Sequence, residues 1–142
     1  MATLATTLTT PLAERTRSAR YSHRLSLVLV VAFALSAAHT TYAYVVHLGD
    51  PAFTVTTPVA WIFYAVGFAS AALAAKDARW AQVALLSYLG VLLAVAIFFY
   101  PTTFEPRQQT VFGWFENDVY TGLLMVAAYL SVERLRRTTL TP

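Results

Sequence analysis

The sequence predicts an all-α integral membrane protein, a four-helix transmembrane bundle with both termini in the cytoplasm. Three observations predict it: the scarcity of charge, three long uncharged apolar segments, and the placement of the basic residues. Of 142 residues, 58% are hydrophobic and 12% are charged, whereas soluble domains carry about 25% charged residues. The mean hydropathy of +0.57 also favours a membrane class.

Three apolar segments, residues 25–48, 58–75 and 80–100, contain no Asp, Glu, Lys or Arg. A water-soluble four-helix bundle is the alternative fold, but each of its helices would carry a polar, charged face. An apolar helix of about 20 residues is long enough to cross the hydrocarbon core of a bilayer. The three segments are therefore predicted to be transmembrane helices.

The residues before the first segment, 1–24, form a predicted tail that becomes basic toward its end. The basic residues are Arg15, Arg17, Arg20 and Arg24. The tail has too little apolar periodicity to bury a core, so we expect it to be flexible. A cleaved signal peptide is the alternative for the basic start and the first apolar segment, because the small residues around Thr41-Tyr42-Ala43 loosely fit a cleavage site.

The second and third segments form a predicted helical hairpin. Residues 49–51, Gly-Asp-Pro, end the first helix, and Pro58 suits the first turn of the next one. The turn at 76–79 is short enough to require an antiparallel connection. Small residues four positions apart would let these helices pack closely. The pairs are Ala65 with Ala69, Gly67 with Ala71, Ser70 with Ala74, and Gly90 with Ala94.

The fourth predicted segment, 113–133, is less apolar than the others. Its plainly apolar part, 119–132, has 14 residues, which is too short to span a bilayer. Either the helix includes Glu116, Asn117 and Asp118 near its outer end, or the bilayer is thinner at this point. A polar outer loop, 101–116, leads into it.

The distribution of Lys and Arg predicts the orientation. Nine of the ten basic residues lie in the N-terminal tail, in the 76–79 turn or after residue 133, and Arg107 alone lies in the other loops. Since cytoplasmic loops carry the excess of basic residues, both termini are expected inside a bacterial-type plasma membrane. The predicted transmembrane domain covers 25–137, and a short C-terminal tail, 138–142, follows it.

Polar residues near the outer ends of the segments define a candidate pocket. They are His39, Tyr42, His47, Glu116 and Asp118. At 100° per helical residue, Asp118 shares a stripe with Gly122, Met125 and Tyr129. We therefore expect Asp118 to point into the bundle and Glu116 to lie nearer the rim. Because His39 and His47 are about 12 Å apart along one helix, they cannot both ligate one metal ion.

Each candidate also has an ordinary structural interpretation. Asp118 fits a helix N-terminus, where an acidic side chain is favourable, and Asn117 fits an N-cap. His39 fits a packed residue with one hydrogen bond, and Tyr42 fits a membrane interface. The functional alternative is a His–carboxylate pair that relays protons or binds a metal ion.

The outer loop is a second candidate surface because it mixes aromatic and polar residues. Its expected contact residues are Arg107, Gln108, Gln109 and Trp114. A loop that lies on the membrane surface and a lid over the pocket are the alternatives.

No enzyme motif accompanies these residues. The chain has no cysteine, and we find no P-loop, dinucleotide-binding, H-E-x-x-H or G-x-S-x-G pattern. We therefore assign no catalytic residue and no cofactor, leave the metal open, and expect a non-enzymatic protein. The basic residues flank apolar segments, which argues against nucleic acid and for the lipid bilayer as a partner.

The first functional expectation is an accessory or scaffold subunit that packs against other subunits of a membrane complex. One alternative is a small transporter or channel protomer that forms a homo-oligomer and uses the His–acid pocket. Another is a membrane redox or metal-binding subunit, with a metal ion or a quinone near the outer histidines and acids.

Overall fold

The computed structural model describes residues 10–103 and 110–139. Within them the chain forms four α-helices: α1 (Thr10–Val45), α2 (Pro58–Leu73), α3 (Arg79–Ala94) and α4 (Val111–Thr139). For the described residues, the prediction of an all-α fold with four helices is confirmed. Two stretches, Ala19–Val45 and Arg79–Thr103, are long and apolar enough to cross a membrane by length and composition.

Helix α1 begins at Thr10 and so includes residues 10–24, which the sequence pattern assigned to a flexible tail. Arg and Ala recur in this stretch, and both are strong helix formers. The guanidinium of Arg137, in α4, lies 4.8 Å from the centroid of the Tyr21 ring. This part of α1 is therefore helical and contacts the end of α4.

Helix α1 ends in a turn centred on His47, which has a φ of 59°. The Leu48 N–H donates to the Ala43 carbonyl over 2.9 Å, and the His47 N–H donates to the Tyr44 carbonyl over 3.2 Å. This is the Schellman pattern, in which a left-handed residue, most often Gly, ends the helix. The helix therefore stops at Val45, before the Gly-Asp-Pro sequence that was expected to end it.

The chain changes from one helix type to another directly after α3. A π-helical turn, Val95–Phe99, follows α3, and a 3₁₀ turn, Tyr100–Thr103, follows that. Pro101 explains the change, because proline has no N–H and its ring clashes with the carbonyl four residues earlier in a regular helix. Single π turns often occur at functional sites.

Helix α4 begins at Val111, within the segment predicted to be the outer loop. Thr110 is its N-cap: the Gly113 N–H donates to the Thr110 hydroxyl over 3.0 Å, as the N3 position of a capped helix does. Glu116 and Asn117 therefore lie in the second turn of α4, and the interpretation of Asn117 as the cap is wrong.

The core is formed where the helices face one another. Its largest fully buried side chains come from α1, α3 and α4: Phe33, Leu25, Leu29, Leu85, Leu89 and Leu124. Helix α2 contributes Tyr64 and otherwise small residues, namely Ala60, Gly67, Ser70 and Ala71, and the buried Ala74 follows its last residue. Two of the predicted small-residue pairs are thus buried, whereas Ala65, Ala69, Gly90 and Ala94 are exposed.

Arg134 joins the helices at the end of the bundle where α2 finishes and α3 begins, and its side chain is 5% exposed. Its guanidinium donates to the Ala74 and Lys76 carbonyls and, over 2.6 Å, to the Asp77 carboxylate. A cation is favourable at a helix C-terminus, where the last carbonyls have no partner within the helix. Arg134 thereby joins α4 to the end of α2 and to the turn before α3.

Candidate binding pocket

A cavity of about 350 Å³ lies at the end of the bundle where α1 and α3 finish and α4 begins. Its polar lining residues are Ser36, His39, Thr40, Asp50, Tyr100, Thr103, Glu116, Asn117 and Tyr120. Its apolar lining comes mainly from Phe53, Phe63 and the turns that follow α3. The cavity is therefore bounded by all four helices and by the segment between α1 and α2.

The centre of the site is a histidine and a glutamate on different helices. The Nδ1 atom of His39 lies 3.8 Å from Oε2 of Glu116, which is too long for a hydrogen bond. Among the described residues, His39 Nδ1 has no hydrogen-bond partner, although the Phe112 ring stacks on the imidazole with 5.8 Å between centroids. The structure thus brings the predicted His–acid pair close together, but no hydrogen bond joins the two side chains.

Glu116 is 6% exposed and the adjacent Asn117 is 7% exposed, yet both line the cavity. Among the described residues, no hydrogen bond is made to the Glu116 carboxyl group, and its contact with His39 Nδ1 is 3.8 Å long. A buried carboxyl group without donors is costly. Because Glu116 lines the cavity, its carboxyl group is available to a ligand there.

One wall of the cavity is fixed by a short hydrogen-bond chain. The hydroxyls of Thr40 and Tyr64 are 2.6 Å apart, and the Tyr64 hydroxyl donates to the Ser36 carbonyl over 3.1 Å. These bonds tie α2 to α1. By contrast, the buried Tyr120 hydroxyl has no hydrogen-bond partner within the described residues.

The structure reverses the expected positions of the two acids in α4. Glu116 is buried and Asp118 is exposed, so the expectation that Asp118 points into the bundle is wrong. The buried stripe contains Gly113, Glu116, Asn117, Leu124 and Ala127, at the three- and four-residue spacings of one helix face. Two residues further on, Asp118 is rotated by about 200° and faces outward.

The stripe that was predicted to pack with Asp118 lies on the outside for the same reason. Met125 is 50% exposed and Tyr129 is 67% exposed. The inward face of α4 can be recognised in the sequence from the residues that follow Glu116 at helical spacing. They are Tyr120, Leu124 and Ala127. Tyr120 was missed as a pocket residue because a tyrosine near the end of a segment suits an interface as well.

The remaining candidates have separate positions. His47 is exposed at the end of α1 and lines neither the cavity nor the recess beside it. Tyr42 lines that recess, which has a volume of about 100 Å³ and shares His39 and Thr40 with the main cavity. The Tyr42 ring meets the Phe112 ring edge-on at 5.2 Å.

The outer-loop candidates are mostly outside the described residues. Arg107, Gln108 and Gln109 lie there, so their expected contact role stays a prediction. Trp114 is in the first turn of α4, and its N–H donates to the Thr110 carbonyl over 3.1 Å. Its side chain is partly exposed and does not line the cavity.

Within residues 10–103 and 110–139, no three His, Asp or Glu side chains converge as a metal site. His39 and Glu116 supply two ligand types of the kind that transition metals use. No family model, curated protein or solved structure matches the chain.

Proposed function

We propose that the chain is an integral membrane protein whose four helices cross the bilayer and enclose a ligand-binding pocket near the outer face. Both termini are on the cytoplasmic side. In this proposal the protein belongs to the transporter or carrier class, as a small protomer, and Glu116 and His39 are the principal binding residues.

The membrane location is supported by the distribution of polarity across the bundle. Large apolar side chains point outward on all four helices, including Val31, Ile62, Val91, Phe98 and Val126. So many exposed large apolar side chains are unusual in a protein surrounded by water. Polar side chains point inward instead, among them Thr40, Ser70, Gln82, Glu116, Asn117 and Ser131. Both features suit helices that are surrounded by lipid.

The orientation is supported by the ends of the helices. The end opposite the pocket holds Lys76, Arg79, Arg134 and the basic start of α1. The positive-inside rule places that end in the cytoplasm, and the pocket then lies toward the outer face. Helix α2, with 16 residues, spans about 24 Å, so its ends need the flanking turns to reach both membrane surfaces.

The observation that carries the binding function is the buried carboxyl group of Glu116 in the cavity wall. Ionisable groups inside a membrane are costly, and they usually mark a substrate or ion pathway. A purely structural carboxylate would be stabilised by donors from its neighbours. Since the described residues supply none, a binding role explains Glu116 better than a packing role does.

An accessory-subunit role is the second candidate, and exposed aromatic side chains at the pocket end favour it. Phe98 is 76% exposed, Phe99 is 63% exposed and Phe115 is 64% exposed. Aromatic residues are enriched at protein interfaces. In this second proposal, another membrane subunit covers these side chains.

Native mass spectrometry of mildly solubilised protein tests the two proposals. We expect the wild-type protein to carry a bound small molecule that Glu116→Gln loses. Asp118→Asn is the matched control, because it removes one charge from the same helix but outside the cavity, and it should keep the molecule. Equal occupancy in both variants, or no bound molecule in the wild type, would contradict the pocket proposal. Release with a second polypeptide from both variants would favour the accessory-subunit role.

A further inference from the structure

We infer that the pocket takes a lipophilic organic cation, with an amine or ammonium group at Glu116 and an apolar body against the aromatic wall. This inference rests on the proposed binding function and names the chemical class of its ligand.

The charges around the cavity favour a cation. Its described lining residues include two carboxyl groups, those of Glu116 and Asp50, and one imidazole, that of His39, but neither Lys nor Arg. One oxygen of Asp50 already accepts a hydrogen bond from the Ala52 N–H over 2.8 Å, and its side chain is exposed. Glu116 is therefore the buried charged group that a ligand would meet. An anionic ligand would be repelled by both carboxylates at close range.

The hydrogen-bonding groups near Glu116 also suit an ammonium group. An ammonium has donors and no acceptors, so it binds where acceptors converge. Glu116 and Asn117 are consecutive residues on the buried side of α4, and both line the cavity. They supply the carboxyl oxygens and an amide oxygen as acceptors. The Thr40 hydroxyl, from α1, lines the same cavity.

The apolar wall is aromatic, which favours an organic cation over a metal ion. Phe53 and Phe63 pack edge-to-face with 5.5 Å between centroids, and Phe99 and Tyr100 line the same cavity. Aromatic faces attract cations and are used to recognise quaternary ammonium groups. A metal ion would need a converging set of ligands, and the described residues contain no such set.

The size of the cavity limits the ligand to a small molecule. A volume of about 350 Å³ is at the lower end of the range for small-molecule sites, about 300–1,000 Å³. It suits one ring with a short chain and one charged group. A ligand of this shape would place its charge near α4 and its ring near α2.

Three probes that differ only in the polar group test the ligand class: 4-phenylbutylamine, 4-phenylbutan-1-ol and 4-phenylbutanoate. Binding to the purified full chain in detergent is measured by isothermal titration calorimetry. We expect the amine to bind at least tenfold more tightly than the alcohol, and the carboxylate most weakly. Glu116→Gln should remove the preference for the amine, whereas Asp118→Asn should keep it.

A cavity-filling variant separates failure of the ligand class from failure of the pocket. Ala96 is 6% exposed and lines the cavity, so Ala96→Phe should occlude it. Equal binding of amine and alcohol that Ala96→Phe abolishes would overturn the cation inference and leave the pocket intact. Binding that neither Ala96→Phe nor Glu116→Gln changes would overturn both. A preference for 4-phenylbutanoate would overturn the cation inference alone.

Discussion

Replacing Gly67 by Ala tests how α1 and α2 pack. A Cβ atom at this position would lie 2.5 Å from Cε1 and 2.7 Å from Cγ of Phe33, and it would also meet Cδ1. Favourable carbon–carbon contacts are about 3.5–4.0 Å, so the ring or the helix must shift by about 1 Å. Phe33 is fully buried and its ring contacts Phe63 at 5.8 Å and Tyr120 at 6.2 Å between centroids. Movement of the ring would therefore disturb these aromatic contacts.

The expected cost follows from two opposing effects. Overpacking a well-packed core costs about 1–3 kcal/mol. Replacing Gly by Ala within a helix offsets up to about 1 kcal/mol of that cost. We expect Gly67→Ala to lower the free energy of unfolding by about 1–2 kcal/mol, because the ring is enclosed on several sides.

Unfolding of the purified protein in mixed micelles, followed by circular dichroism, measures this change. Gly90→Ala and Gly122→Ala are matched controls, since an added Cβ at either position meets no atom within 4 Å. Both should leave stability unchanged or raise it slightly. Adding Phe33→Leu to Gly67→Ala should recover part of the loss, as expected for two residues in contact. Gly67→Ala with the stability of Gly90→Ala would refute the proposed packing.

Three further substitutions test the turns and the wall of the pocket by the same unfolding assay. Arg134→Lys should cost about 2 kcal/mol, because an ammonium group cannot reproduce the fork of bonds to Asp77 and to the two carbonyls. Tyr64→Phe should cost about 1 kcal/mol, because the Thr40 hydroxyl loses its partner. His47→Gly should instead stabilise the protein by about 0.5–1 kcal/mol, since glycine adopts a φ of 59° without the steric cost that other residues have.

Each of these substitutions has a control on the same or a neighbouring helix. Arg136→Lys and Tyr129→Phe alter exposed side chains and should have little effect. His23→Gly places glycine inside α1 and should destabilise by about 1 kcal/mol, the opposite sign to His47→Gly. Loss of stability in His47→Gly would show that His47 has a role beyond ending the helix. Arg134→Lys with wild-type stability would contradict the bridge from α4 to the turn before α3.

The sequence was sufficient for the number and order of the helices, because apolar segments and their interruptions are local features. It also identified Gly67 with Ala71 as part of a packed seam, since small residues at that spacing permit close approach. His39 and Glu116 could both be named as pocket candidates, because polar residues within apolar segments are costly unless they meet polar partners.

The rotation of α4 could not be predicted as readily. Glu116 and Asp118 are two residues apart, and which one faces inward depends on small differences among apolar neighbours on both faces. The role of Arg134 depends on contacts with residues 57–60 positions away in sequence, which no local pattern specifies. The π turn before Pro101 likewise depends on how the end of α3 is accommodated.

Labelling of single cysteines in intact cells tests the proposed membrane arrangement most directly. The chain has no cysteine, so Thr56→Cys and Ala78→Cys each introduce the sole thiol, both at exposed positions between helices. A membrane-impermeant maleimide should label Thr56→Cys in intact cells, on the side of the pocket. It should label Ala78→Cys only after the membrane is permeabilised. Labelling of Ala78→Cys in intact cells, or recovery of the protein in the soluble fraction, would contradict the proposed membrane arrangement.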